Sequence, residues 1–153
     1  MDKKQILYAP CSGEVIKLEN VKDEVFSSGI LGKGFAIVPD SKDFYSPVKG
    51  KISNAHEAGH AYMIEAENGL EIMVHIGLDT VELEGEFFLP AVKSNMSVSK
   101  GDKLTYADVD KIKDRGFDPV VIVIVTNAEK LGDFQIKYGK VEKSESVMEC
   151  SIK

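Results

Sequence analysis

A chain of 153 residues with 43% hydrophobic and 29% charged side chains has the make-up of one globular domain with a full core, expected to span residues 1–153. Its formal net charge of −6 removes the basic surface that a nucleic-acid binder needs and suits a partner with a basic face. No apolar run is long enough to span a membrane, and Met1-Asp-Lys-Lys-Gln-Ile-Leu-Tyr lacks a signal-peptide core, so a cytoplasmic, non-membrane-embedded protein is expected.

Residues 5–18 read as strand, turn, strand, with Pro10 and Gly13 as punctuation. Cys11 lies in this turn, in a Pro-Cys-Ser-Gly setting that suggests exposure. Neither it nor Cys150 fits a metal or redox spacing, so both are expected to be free, inert thiols. Residues 21–26 suit a helical turn, and Gly29, Gly32 and Gly34 exclude a long helix. Gly34 to Pro39 reads as a short strand. Residues 45–52 repeat the Pro-x-x-Gly pattern of the start, and Val98 to Leu104 echoes it more loosely.

The stretch from His60 to Thr80 is the most informative. Asn68-Gly69 separates two apolar, β-branched runs, which predicts a hairpin with a two-residue turn. In that register Tyr62 opposes His75 and His60 opposes Gly77. His60 and His75 then share one face as diagonal neighbours, with α-carbons about 7–8 Å apart. Spacing alone leaves open whether this pair is chemical or coincidental.

Further on, Val81 to Leu89 reads as a strand bent at Gly85, and Ala107 to Arg115 as a short amphipathic helix stopped by Gly116. Asp118 to Thr126 reads as a buried central strand. Residues 134–138 and 146–152 supply edge strands. The fold class is therefore all-β: an antiparallel sandwich or barrel with one or two short helical turns.

Several chemical motifs can be weighed. His56-Glu57-Ala58-Gly59-His60 matches His-Glu-x-x-His, but zinc peptidases need that motif on a helix, and the surrounding Pro47, Gly50 and Gly59 oppose one. Biotinyl and lipoyl carriers use Gly-punctuated sandwiches, yet the required lysine is replaced by Asn68-Gly69 at the hairpin tip. Asp79 is either a rim carboxylate or an ordinary loop residue. Gly77 either opens backbone N–H groups to an anion or only ends a strand. No nucleotide-binding Gly-x-x-x-x-Gly-Lys loop is present.

The segment Val74-His75-Ile-Gly-Leu-Asp79-Thr80-Val-Glu82-Leu-Glu-Gly85-Glu closely resembles the signature of the glucose-family IIA components of the bacterial phosphoenolpyruvate-dependent sugar phosphotransferase system. Ala9-Pro-Cys-Ser-Gly13-Glu, Val21-Lys-Asp23-Glu-Val25-Phe26, Gly32-Lys-Gly34-Phe-Ala-Ile37, Pro47-Val-Lys-Gly50, His60-Ala61 and Pro119-Val120-Val-Ile122 extend the resemblance over roughly residues 6–150.

The resemblance implies that His75 is the phosphorylated nucleophile and that His60 steadies the phosphoryl group. It implies a partner-binding rim of Asp23, Asp79, Phe26, Ile30 and Leu31. Backbone N–H groups of Gly77 and Leu78 are expected to contact phosphoryl oxygens. No metal or cofactor is expected. The implied function is that of a cytoplasmic, monomeric phosphocarrier. It takes a phosphoryl group from the histidine phosphocarrier protein (HPr) and gives it to a cysteine of a IIB domain, expected on a separate chain, during glucose-type sugar uptake. A regulatory or sugar-binding β module and a zinc hydrolase through His56, Glu57 and His60 stand as alternatives. Four positions depart from the family pattern. Ala58 replaces a threonine, His56 an aromatic rim residue, Lys33 an aspartate, and Phe87 a glycine.

Overall fold

The computed structural model describes residues 3–153. Its strands are β1 (Lys3–Tyr8), β2 (Gly13–Lys17), β3 (Lys33–Pro39), β4 (Asp43–Tyr45), β5 (Gly50–Ala55), β6 (Ala61–Ala66), β7 (Glu71–Ile76), β8 (Phe88–Pro90), β9 (Ser97–Val98), β10 (Lys103–Ala107), β11 (Val121–Val125), β12 (Leu131–Ile136), β13 (Gly139–Val141) and β14 (Ser146–Ile152). Two short helices, α1 (Glu24–Ser27) and α2 (Val109–Asp114), interrupt them. The main sheet runs β13-β2-β3-β11-β7-β6-β5-β9, and two three-stranded sheets, β1-β14-β12 and β4-β10-β8, accompany it. The strand pairings around the site are antiparallel, as expected for an all-β sandwich.

β11 is buried throughout and lies between β3 and β7. Its alternate residues serve two different cores. Val121, Val123 and Val125 point into the large cluster with Phe35, Ile37, Ile72, Val74 and Ile76. Ile122 and Ile124 point the other way, into a smaller cluster with Val21, Phe26, Ala36, Leu78 and Val120. A strand covered on both faces reads as an unbroken apolar run, which is why its sequence is legible as central.

Four expectations are corrected. Ala66, not Glu67, closes the β6–β7 hairpin opposite Leu70, because the loop holds Glu67, Asn68 and Gly69: the Gly69 N–H donates to the Ala66 carbonyl (3.0 Å) and the Ala66 N–H to the Leu70 carbonyl (2.8 Å). With Gly69 at φ +93°, this is a turn followed by a left-handed residue, the common three-residue hairpin loop. The register moves by one, so Ala61 opposes His75 and Tyr62 opposes Val74. Second, residues 80–83 form a 3-10 turn rather than a strand, and only Phe88–Pro90 is extended. Third, β14 is the middle strand of its sheet and β12 is the edge. Fourth, Cys11 is fully buried rather than exposed in its turn, and burial pushes its thiol pKa far up.

α2 ends as its sequence predicts. Gly116 takes φ +90°, its N–H donates to the Lys113 carbonyl, and the Phe117 N–H reaches back to the Ile112 carbonyl. This satisfies carbonyls that the helix end would leave unpaired.

Candidate functional site

His75 lies near the end of β7, on the sheet face that carries the smaller core cluster; Ile122 opposes it on β11. The Phe26 ring of α1 packs against it at 5.3 Å between centroids. The imidazole is half-buried. Its Nδ1 lies 2.8 Å from the carbonyl oxygen of Gly77. A carbonyl only accepts, so Nδ1 carries the proton and Nε2 keeps the lone pair.

The chain beyond β7 is bent to present that carbonyl. Gly77 takes φ +82°, and a β-carbon there would overlap the Thr80 methyl. The buried Thr80 hydroxyl donates to the Ile76 carbonyl at 2.6 Å. The Gly77 N–H donates to the Val120 carbonyl and the Leu78 N–H to the Asp118 carbonyl, each at 2.8 Å. These amides are therefore already paired with β11 and its approach. The expectation that they meet phosphoryl oxygens is corrected: Gly77 supplies a carbonyl to His75, not an N–H to a phosphate.

His60 comes to His75 by a route the spacing did not predict. β6 begins at Ala61; His60 keeps one ladder bond, its carbonyl accepting the Ile76 N–H at 2.7 Å, but its side chain is placed by the turn before it rather than by strand alternation. The preceding Gly59 takes φ +87°, its N–H donating to the His56 carbonyl, while the His56 N–H donates to the Ala61 carbonyl. Residues 56–60 are thus the loop of the β5–β6 hairpin. The same geometry removes the zinc-hydrolase reading, since His56 and His60 are not on a helix and Glu57 is exposed. The turn sets the His60 ring edge-on to His75, at 5.2 Å and 81°.

His60 is only 3% exposed. Burial, reinforced by the neighbouring His75 and His56 rings, pushes its pKa down to about 4. It is therefore neutral near pH 7, with one proton to place. Its Nδ1 is enclosed and has no hydrogen-bond partner among the described residues. His75 is also held below the ordinary imidazole range. Burial is the largest cause, opposed by the hydrogen bond to Gly77 and by the Asp23 and Asp79 carboxylates.

The rim forms around these rings. Asp23 caps α1, accepting the Val25 N–H at 2.9 Å. Asp79 is exposed and left-handed at φ +60°, a conformation aspartate tolerates. Ile30 is 79% exposed and Leu31 is exposed beside it, whereas Phe26 is buried. Val25 and Val81 add exposed apolar surface that the sequence reading passed over. It also passed over Thr80, whose only sequence signal is its place in His-x-Gly-x-Asp-Thr. Phe88, whose ring stands 6.3 Å from His60, gave no signal at all.

The site is thus set on an antiparallel β sandwich carrying two packed, neutral imidazoles, one with a ring nitrogen free to act as a nucleophile. The family model for the phosphoenolpyruvate-dependent sugar phosphotransferase system, EIIA 1, matches residues 5–131, and the chain belongs to that family of phosphotransferase components. It is 38% identical to the glucose-specific EIIA component of Staphylococcus epidermidis over 90% of this chain and 82% of that one. It is 42% identical to the β-glucoside-specific EIIBCA component of Bacillus subtilis over 97% of this chain but only 24% of that longer protein. The glucose permease IIA of Mycoplasma capricolum superposes with a TM-score of 0.91 at 38% identity, covering 96% of both chains. Among the described residues no helix is long and apolar enough to cross a membrane.

Proposed function

We propose that this chain is a single, monomeric IIA domain working in the cytoplasm, which accepts a phosphoryl group on Nε2 of His75 and passes it to a cysteine. The donor is the phosphohistidine of HPr. The acceptor is a IIB domain, a module named within the EIIBCA relative. The transport served is that of glucose or a β-glucoside, the sugars in the names of its relatives.

The hydrogen bond from His75 Nδ1 to the Gly77 carbonyl supports this reading most directly. It holds the imidazole in the tautomer that leaves the Nε2 lone pair free to react. In the first transfer that lone pair attacks phosphorus in line, a new N–P bond forms, and the N–P bond of the donor imidazole breaks. In the second, a cysteine thiolate attacks the same phosphorus. An S–P bond forms as the His75 N–P bond breaks, and the electron pair returns to Nε2. His60 donates its one proton to a phosphoryl oxygen throughout, and the dry apolar rim slows hydrolysis. Asp23 and Asp79 attract the basic face of a partner, while the exposed Ile30 and Leu31 supply its apolar footing and the buried Phe26 backs His75.

Incubation with labelled phosphoenolpyruvate and the general phosphotransferase proteins tests the assignment. Acid-labile, base-stable label is expected on the wild type and none on His75→Gln. His60→Gln should still accept label but transfer it to IIB roughly 100-fold to 1000-fold more slowly, the usual loss on removing one oxyanion donor. Labelling of His75→Gln at the wild-type level would refute the nucleophile.

A further inference from the structure

We propose that His56 is a positioning residue: it supplies the hydrogen-bond donor to the buried Nδ1 of His60 and thereby directs the His60 proton to Nε2, where a phosphoryl oxygen can receive it. This rests on the phosphocarrier reading of His75, which it deepens.

The starting point is the enclosed Nδ1 of His60, the one buried side-chain nitrogen or oxygen among the described residues without a partner. A buried polar atom left unpaired is destabilising, so a nearby donor is favoured. The adjacent ring is that of His56, 4.5 Å from His60 between centroids and tilted by 55°. The Ala58 N–H donates to His56 Nδ1 at 3.1 Å. That bond keeps Nδ1 of His56 unprotonated and leaves its N–H on Nε2. His56 is half-exposed and borders a cleft of about 710 Å³ lined by Ala55, Pro90, Val92, Lys93 and Met96, so its ring has room to turn. The rings touch without a hydrogen bond in this structure, and a tilt of His56 small enough to keep its Ala58 bond closes the link.

Once closed, each step sets the next. The Ala58 amide fixes the His56 tautomer. The His56 Nε2–H makes His60 Nδ1 an acceptor. His60, neutral because it is buried, must then carry its proton on Nε2. Beyond it lies His75, whose own tautomer is set by the Gly77 carbonyl. Two backbone groups at opposite ends thus orient three imidazoles, and His56-x-x-x-His60 serves as a relay of hydrogen-bond direction rather than a metal motif.

The test uses two substitutions in the full chain. His56→Phe keeps a ring and removes the N–H; His56→Gln keeps an N–H. Long-range proton–nitrogen NMR of nitrogen-labelled histidine reads the tautomer of His60 directly. In the wild type and in His56→Gln, His60 should be predominantly Nε2-protonated. In His56→Phe it should shift toward Nδ1 protonation, and kcat for transfer to IIB should fall roughly 10-fold to 100-fold with KM for IIB unchanged. His56→Gln should recover most of that rate. A wild-type His60 tautomer in His56→Phe, or a loss confined to KM, would overturn the proposal and make His56 a docking contact. The tautomer is read on unphosphorylated protein, so it decides the matter even if wild-type protein were to accept no label, the result that would instead defeat the phosphocarrier reading.

Discussion

The chemistry at the residue scale is a matter of which ring nitrogens carry protons. In the proposed transfer His75 reacts only when neutral, because its protonated form has no lone pair at Nε2. Burial lowers its pKa, while the Gly77 carbonyl, Asp23 and Asp79 push back. Phosphoryl acceptance should therefore rise with pH through a value below the ordinary imidazole pKa of about 6.5 and stay level above it. Asp79→Asn removes one of the opposing influences, so its rising limb should move to lower pH in a pH–rate profile of label acceptance. A limb that moved upward would contradict this electrostatic account. Both histidines that meet in the candidate site stand out in the sequence, His75 through its Val-His-x-Gly-x-Asp-Thr context and His60 through His-Ala. The state of the His60 ring was not, because it depends on burial by Phe88, His56 and His75, residues drawn from different elements.

At the scale of elements, two loops do most of the placing. The exit of β7 turns at Gly77, fastened by Thr80 below and by the Val120 and Asp118 carbonyls beside it. Gly77→Ala must carry a β-carbon at φ +82° against the Thr80 methyl. It should cost about 1–3 kcal/mol in denaturant unfolding and displace the carbonyl that holds His75, slowing acceptance. An unchanged midpoint and rate would show the turn to be more forgiving than its packing implies. The second loop, residues 56–60, brings His60 into the site. Here a register counted from Asn68-Gly69 arrived at the right pair for the wrong reason. The loop holds one residue more than supposed, which moves every side chain to the opposite face of the pairing, but His60 lies outside the strand and the Gly59 turn redirects it.

The whole molecule stands behind His75 through β11. Ile122 opposes His75 and belongs to the smaller cluster that seats Phe26 and Leu78. Ile122→Ala should cost roughly 2–5 kcal/mol of unfolding free energy by leaving a cavity between these residues. It should also reduce acceptance by His75, measured as label incorporated at a temperature where the variant is still folded. Loss of stability with full acceptance would mean that the site does not depend on this second core. Local pattern was enough for the all-β class, the central strand, the presence of α2 with its Gly116 stop, and the family to which the chain belongs; the start of α2 was not, since Ala107 ends β10 and the helix begins at Val109. These depend on periodicity, turn chemistry and contiguous motifs, all written over a few neighbouring residues. The true hairpin register, the burial of Cys11, the 3-10 turn after His75, the pairing of the Gly77 and Leu78 amides, and the contact between His56 and His60 were decided only in three dimensions. Each depends on what a distant strand or loop leaves covered, and no local spacing records which backbone groups another element has already taken.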